Sequence, residues 1–163
     1  MARQHPIELF MPPNMLKAKV GGGLGGIDMA AMKRAEAAME TLTGEFGDWI
    51  ADDVKALIAA RARYAKTPDV EARAALLRAA HDIKGQAPTF NYPLIARVAA
   101  SLSRMIGEVP PETSLPLHLV DAHVSAIQVI RKNGIQDTND QIAHALCAEL
   151  DARVDELATA NKK

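Results

Sequence analysis

The chain has 163 residues, 48% of them hydrophobic, and its 19 Lys plus Arg nearly match 20 Asp plus Glu, for a formal charge of -1. That balance gives no support to a general nucleic-acid binder, whose footprint is a net basic surface, and no apolar run approaches the roughly 18 residues that span a bilayer. Aromatic residues are only 4%, so the core is expected to come from Ala, Leu, Ile, Val and Met, a composition that favours helices over strands. The single Cys147 cannot form an intrachain disulfide, and no Cys-x-x-Cys pair is present for zinc. Met1 to Pro6 lack the apolar stretch and small-residue cleavage site of a signal peptide. A cytoplasmic protein with no membrane partner is the expectation.

Residues 1–27 carry Pro6, Pro12 and Pro13 and then the run Gly21-Gly22-Gly23-Leu24-Gly25-Gly26, which reads as a flexible tail. Within it Ile7 to Met11 form an apolar cluster able to dock as a short peptide. A helical domain is expected over 28–160, in six helices. Asp28 is the N-cap of the first, with Ile27 and Met32 as a hydrophobic staple, and the helix runs to about Leu42 before Gly44 and Gly47 break or loosen it. The second follows Asp48 with Ile50, Val54, Leu57 and Ile58 at helical spacing. For the third, Thr67 is read as the cap and Pro68 as the first helical residue, with an end near Pro88. The fourth covers about Pro93 to Gly107 with Ile95, Val98, Leu102 and Met105 as its stripe. Leu115 to Asn133 forms the fifth, closed by Gly134. Thr138 to Gln141 reads as a capping box opening the sixth, whose stripe is Ile142, Leu146, Leu150, Val154 and Leu157. No alternating run suggests a sheet, and an antiparallel helical bundle follows.

The chemistry concentrates between Ala79 and Phe90. At about 100° per residue, Leu76, Ala79, Ile83 and Phe90 gather on one side of the third helix and His81 faces away from them. Arg78 precedes the histidine by one turn, and Lys84 and Gly85 follow by one turn. An imidazole, with an unperturbed pKa of about 6.5, is a competent nucleophile near neutral pH. A phosphoryl group on it brings close to two negative charges, which Arg78 and Lys84 offset. A glycine in a helix costs roughly 0.5–1 kcal/mol relative to Ala, so Gly85 calls for a reason, and close approach of a partner's backbone supplies one.

At these residues the chain resembles the histidine phosphotransfer (HPt) domain family, whose motif is a His followed three and four residues later by Lys and Gly. His81, Lys84 and Gly85 match residue by residue, Phe90 fills the apolar position after the motif, and Ile95, Val98 and Leu102 match the spacing of the next helix. The likeness covers about Leu76 to Met105. Gln86 stands where the family often has a small residue, and Asn91 where it often has Gly at the turn. The resemblance implies an all-α, antiparallel four-helix bundle, here with additional flanking helices. It also implies a phosphorelay carrier that is not an enzyme and has no ATP site. His81 is then the phospho-accepting nucleophile and Lys84 stabilises the phosphate charge, while Arg78 and Gly85 serve docking. The implied partners are response-regulator receiver domains and a histidine kinase. No cofactor is expected on this chain, Mg²⁺ residing on the partner receiver. The extra helices join the core or make a homodimer.

A rival reading is a non-catalytic helical adaptor or dimerisation module, which leaves Gly85 beside an outward His unexplained. Other constellations are weaker. His118 and His123 are five residues apart, not the i,i+4 spacing of a helical metal pair, and are expected to be solvated or capping; no metal site is expected. Asp121 and His144 reach them only through folding. Cys147 reads as a buried, inert thiol. The glycine run lacks the Lys-Ser/Thr ending of a P-loop. Met29, Met32 and Met39 are expected to form a core stripe along the first helix.

Overall fold

Five helices and no strand occupy the residues that this computed structural model describes, 28–161. They are α1 (Met29–Lys66), α2 (Val70–Gln86), α3 (Pro93–Glu108), α4 (Leu117–Lys132) and α5 (Gln141–Ala160). The chain divides into two compact units, Met1–Glu40 and Thr41–Lys163. The flexible tail, the apolar cluster Ile7 to Met11, the glycine run and Ile27 of the staple lie outside the described residues.

In the first unit, Asp28 behaves as an N-cap should, its carboxylate accepting from the Ala30 amide at 3.0 Å. The methionines do not form the expected core stripe: Met29, Met32 and Met39 are 65%, 43% and 68% exposed. Helical spacing places side chains on one face but does not supply a surface to cover them. The expected break at Gly44 and Gly47 is also corrected, because α1 is helical through both. A glycine inside a helix costs about 1 kcal/mol, and no proline lies between these two to end it.

In the second unit, one hydrophobic core joins Ile50, Val54, Leu57 and Tyr64 of α1 to the inward faces of the other four helices. Helix α3 packs against α2, α4 and α5, and its expected stripe of Ile95, Val98, Leu102 and Met105 is fully buried. Along α2 the stripe shifts by one residue: Leu76, Ala80 and Ile83 are buried, Ala79 only half so. Phe90 falls in the turn beyond the helix, edge-on to Trp49 with ring centroids 6.4 Å apart.

The helix starts are set by aspartates rather than hydroxyls. Asp69, not Thr67, caps α2 by accepting from the Ala72 amide at 2.6 Å, and Pro68 precedes the helix. Asp140, not Thr138, caps α5 through the Ala143 amide at 2.8 Å. The buried stripe of α5 is Ala143, Cys147, Leu150 and Val154, one residue off the expected one at its first two positions, and Ile142 is 84% exposed. Helix α4 begins at Leu117, two residues later than expected. Leu115 stays buried before it, its amide donating to the Tyr64 hydroxyl at 2.9 Å.

Connections between helices are charged. Arg61 of α1 holds Asp121 of α4 through two of its guanidinium nitrogens, Nε and Nη2, one to each carboxylate oxygen. Arg97 and Arg104 of α3 pair with Asp151 and Asp155 of α5 at 2.9 and 2.7 Å. Arg73 of α2 reaches the end of α3 and donates to the carbonyls of Ile106, Val109, Pro110 and Thr113. Helix α3 has no basic residue in its own last turn, so its unpaired carbonyls are satisfied from a neighbouring helix. No helix of the described residues is long and apolar enough to cross a membrane.

Candidate functional site

Helix α2 carries the four residues singled out by sequence. Its N-terminus is fixed by the Asp69 cap and by Glu71 near the positive end of the dipole. Its inner face is fixed by Leu76, Ala80 and Ile83, all buried. With those inward, Arg78, His81, Lys84 and Gly85 are all exposed. Spacings of three and four residues put neighbouring Cβ atoms about 5–6 Å apart on a helix, so His81 has a cation one turn before it and another one turn after.

Gly85 lies in the last turn of α2, and a Cβ built there meets no heavy atom within 4 Å. Packing among the described residues therefore gives no reason for a glycine at this position. The helix ends directly afterwards, at Gln86, and Ala87 caps it through a bond from its amide to the Ile83 carbonyl at 2.9 Å. Pro88 lies in the turn that follows; Ala87 before it still has helical angles, φ -55° and ψ -36°, so the helix ends at the proline without the extended residue that usually precedes one. Asn91 takes φ +61° in that turn. This is the left-handed region that glycine enters freely and asparagine tolerates better than most residues, so the Asn at this turn keeps the conformation a Gly would adopt.

Sequence reasoning missed Asp53 of α1. Its Oδ2 is buried and has no hydrogen-bond partner among the described residues. Burial first, and then the negative charges of Asp82 and Asp52, push its carboxyl above the usual range. Asp82 is the residue after His81 in the sequence, so an acidic group of α1 stands within electrostatic reach of the α2 face. Only the packing of two helices creates that proximity, and no local spacing announces it.

The other candidates separate. His123 is fully buried, contrary to the expectation of a solvated or capping side chain. Its Nδ1–H donates to the Leu119 carbonyl at 2.7 Å and its Nε2 accepts from the Ser101 hydroxyl at 3.2 Å. Burial holds its pKa below the ordinary 6.5, with the Leu119 bond and the Asp151 charge opposing. His118 is exposed, Asp121 is taken by Arg61, and His144 lies 3.3 Å from Arg97. No group of three His, Cys, Asp or Glu able to hold a metal ion occurs among the described residues. Cys147 is buried, and that burial pushes its thiol pKa up, away from a reactive thiolate.

The arrangement on α2 offers an exposed imidazole between two cations, beside a position with no side chain. In comparison with known proteins, no family model, no curated protein and no solved structure matches this chain.

Proposed function

We propose that this chain is a histidine-containing phosphotransfer protein, in which His81 accepts a phosphoryl group and exchanges it with receiver-domain aspartates. The observation that carries the reading is Gly85: one turn from an exposed imidazole, with no packing among the described residues that needs it. A helical glycine is costly, and a partner backbone approaching the imidazole explains why the cost is kept. In the transfer, the imidazole lone pair forms the N–P bond as the P–O bond to a receiver carboxylate breaks. The electron pair leaves on that carboxylate, and the reverse step frees the ring. Such transfer depends on positioning and charge rather than on acid–base groups. Arg78 and Lys84 offset the phosphoryl charge and complement the acidic pocket of a receiver, which brings its own Mg²⁺; that complementarity acts mainly on encounter rate. A histidine kinase is the alternative donor, and the cytoplasm is the compartment this role calls for.

In this reading the C-terminal part of α1 forms an antiparallel four-helix bundle with α2, α3 and α4, and α5 is a flanking helix. Two pairings support antiparallel α1 and α2: Arg63 near the end of α1 meets Glu71 near the start of α2, and Trp49 meets Phe90 beyond its end. Incubation with a phosphorylated receiver is expected to give an acid-labile, alkali-stable label on this chain. His81→Gln should abolish the label and leave Tm unchanged, since an exposed side chain contributes little packing; full labelling of that variant overturns the assignment. Lys84→Ala should slow transfer by about 2- to 5-fold, the effect of losing one exposed charge, with a weaker dependence on salt.

A further inference from the structure

A concave site lies between α1 and α4, lined by none of Arg78, His81, Lys84 and Gly85. It is a cleft of about 500 Å³ whose described lining comprises Ile50, Ala51, Val54, Ile58 and Tyr92 together with Lys55, Gln128, Arg131 and Lys132. Clefts of this size with an apolar floor and a few polar groups at the rim suit small molecules. The floor follows one face of α1, since positions 50, 54 and 58 recur every four residues and extend over about 12 Å at 1.5 Å per residue.

Its charge is one-sided. Three cations and no carboxylate stand among the described lining residues. Lys55 is already matched by Asp52 at 2.9 Å. Arg131, half-buried, and Lys132 have no ion-pair partner among the described residues. A larger groove between α4 and α5, about 680 Å³, lacks this feature, because Arg153 at its rim is paired with both Glu149 and Glu156. An apolar trough ending in unmatched cations is complementary to an apolar body with an anionic head.

We infer that the α1/α4 cleft binds a small amphipathic carboxylate, its aliphatic chain along Ile50, Val54 and Ile58 and its head group on Arg131 and Lys132. The competing role for these two cations is local, because basic residues in the last turn of a helix favour its dipole. The experiment separates the two on the full chain, by titration with octanoate followed through backbone amide shifts, with 1-octanol as the neutral-head control and acetate as the head group without the chain. Saturable shifts confined to 50–58, Tyr92 and 128–132 are expected with octanoate, with octanol weaker by about tenfold and acetate without effect, as a charge-assisted bond added to apolar burial requires. Arg131→Gln with Lys132→Gln should weaken octanoate by about tenfold and leave octanol unchanged, far-UV circular dichroism confirming the helices. Ile58→Ser should weaken both ligands. Absence of saturable binding, shifts centred on the α4/α5 groove, or unchanged octanoate affinity in the double variant overturns the proposal, the last leaving the cations with only their role at the end of α4.

Discussion

His123 shows how one buried side chain couples this fold to pH. Its ring is enclosed and hydrogen-bonded on both nitrogens in the neutral form, and burial lowers its pKa from the ordinary 6.5. The unfolded chain therefore takes up the proton first as pH falls. The stability conferred by the neutral ring is complete above the unfolded value and is lost as pH drops below it towards the lower folded value. Urea denaturation at pH 7.5 and 5.5 is expected to show a larger loss on acidification for the wild type than for His123→Gln, which keeps polar groups but does not titrate. Equal losses in the two proteins would assign the acid sensitivity elsewhere.

Two glycines at helix ends have opposite backbone requirements, and the same substitution should have opposite signs. Gly85 belongs to the last turn of α2 in ordinary helical conformation, and a Cβ there meets nothing. Gly85→Ala is expected to stabilise by up to about 1 kcal/mol by removing the glycine entropy penalty. Gly134 follows α4 at φ +60°. Its amide donates to the Arg131 carbonyl at 3.0 Å and the Ile135 amide to the Ile130 carbonyl at 3.0 Å, the paired bonds of a Schellman closure. Gly134→Ala also meets no neighbour, yet it is expected to destabilise by about 1 kcal/mol because an L-side chain pays for the left-handed region. Chemical denaturation of both variants checks the signs, and two changes of the same sign would contradict this account.

Within the second unit, stability depends on α3, the helix that touches α2, α4 and α5. Leu102 lies on it with no exposed surface. Leu102→Ala is expected to cost about 2–5 kcal/mol, the transfer loss plus the cavity left behind. The expected signature is a lower urea midpoint with an unchanged m-value. The same truncation at the exposed Ile142 should be nearly silent. Such a contrast distinguishes residues that share helical spacing but not a covered face.

The sequence by itself determined the helical class, because Ala, Leu, Ile, Val and Met recur at helical spacing and nothing alternates. It also placed α3 and its stripe almost residue for residue, since Pro93 marks the start and four large apolar side chains leave one possible inward face. The closure of α4 at Gly134 and the outward face of His81 were legible for the same reason: backbone preference and periodicity are local. Caps were less legible, as Thr67 and Thr138 compete with Asp69 and Asp140 within one turn and the choice depends on which start buries the better face. Only the tertiary structure decided what is covered. It left Met29, Met32, Met39 and Ile142 exposed, enclosed His123, set the Asp53 carboxylate within reach of Asp82, and brought Arg73 to carbonyls more than thirty residues away. Each of these depends on a neighbouring helix, and a helix's own sequence fixes which side chains share a face but not what lies opposite.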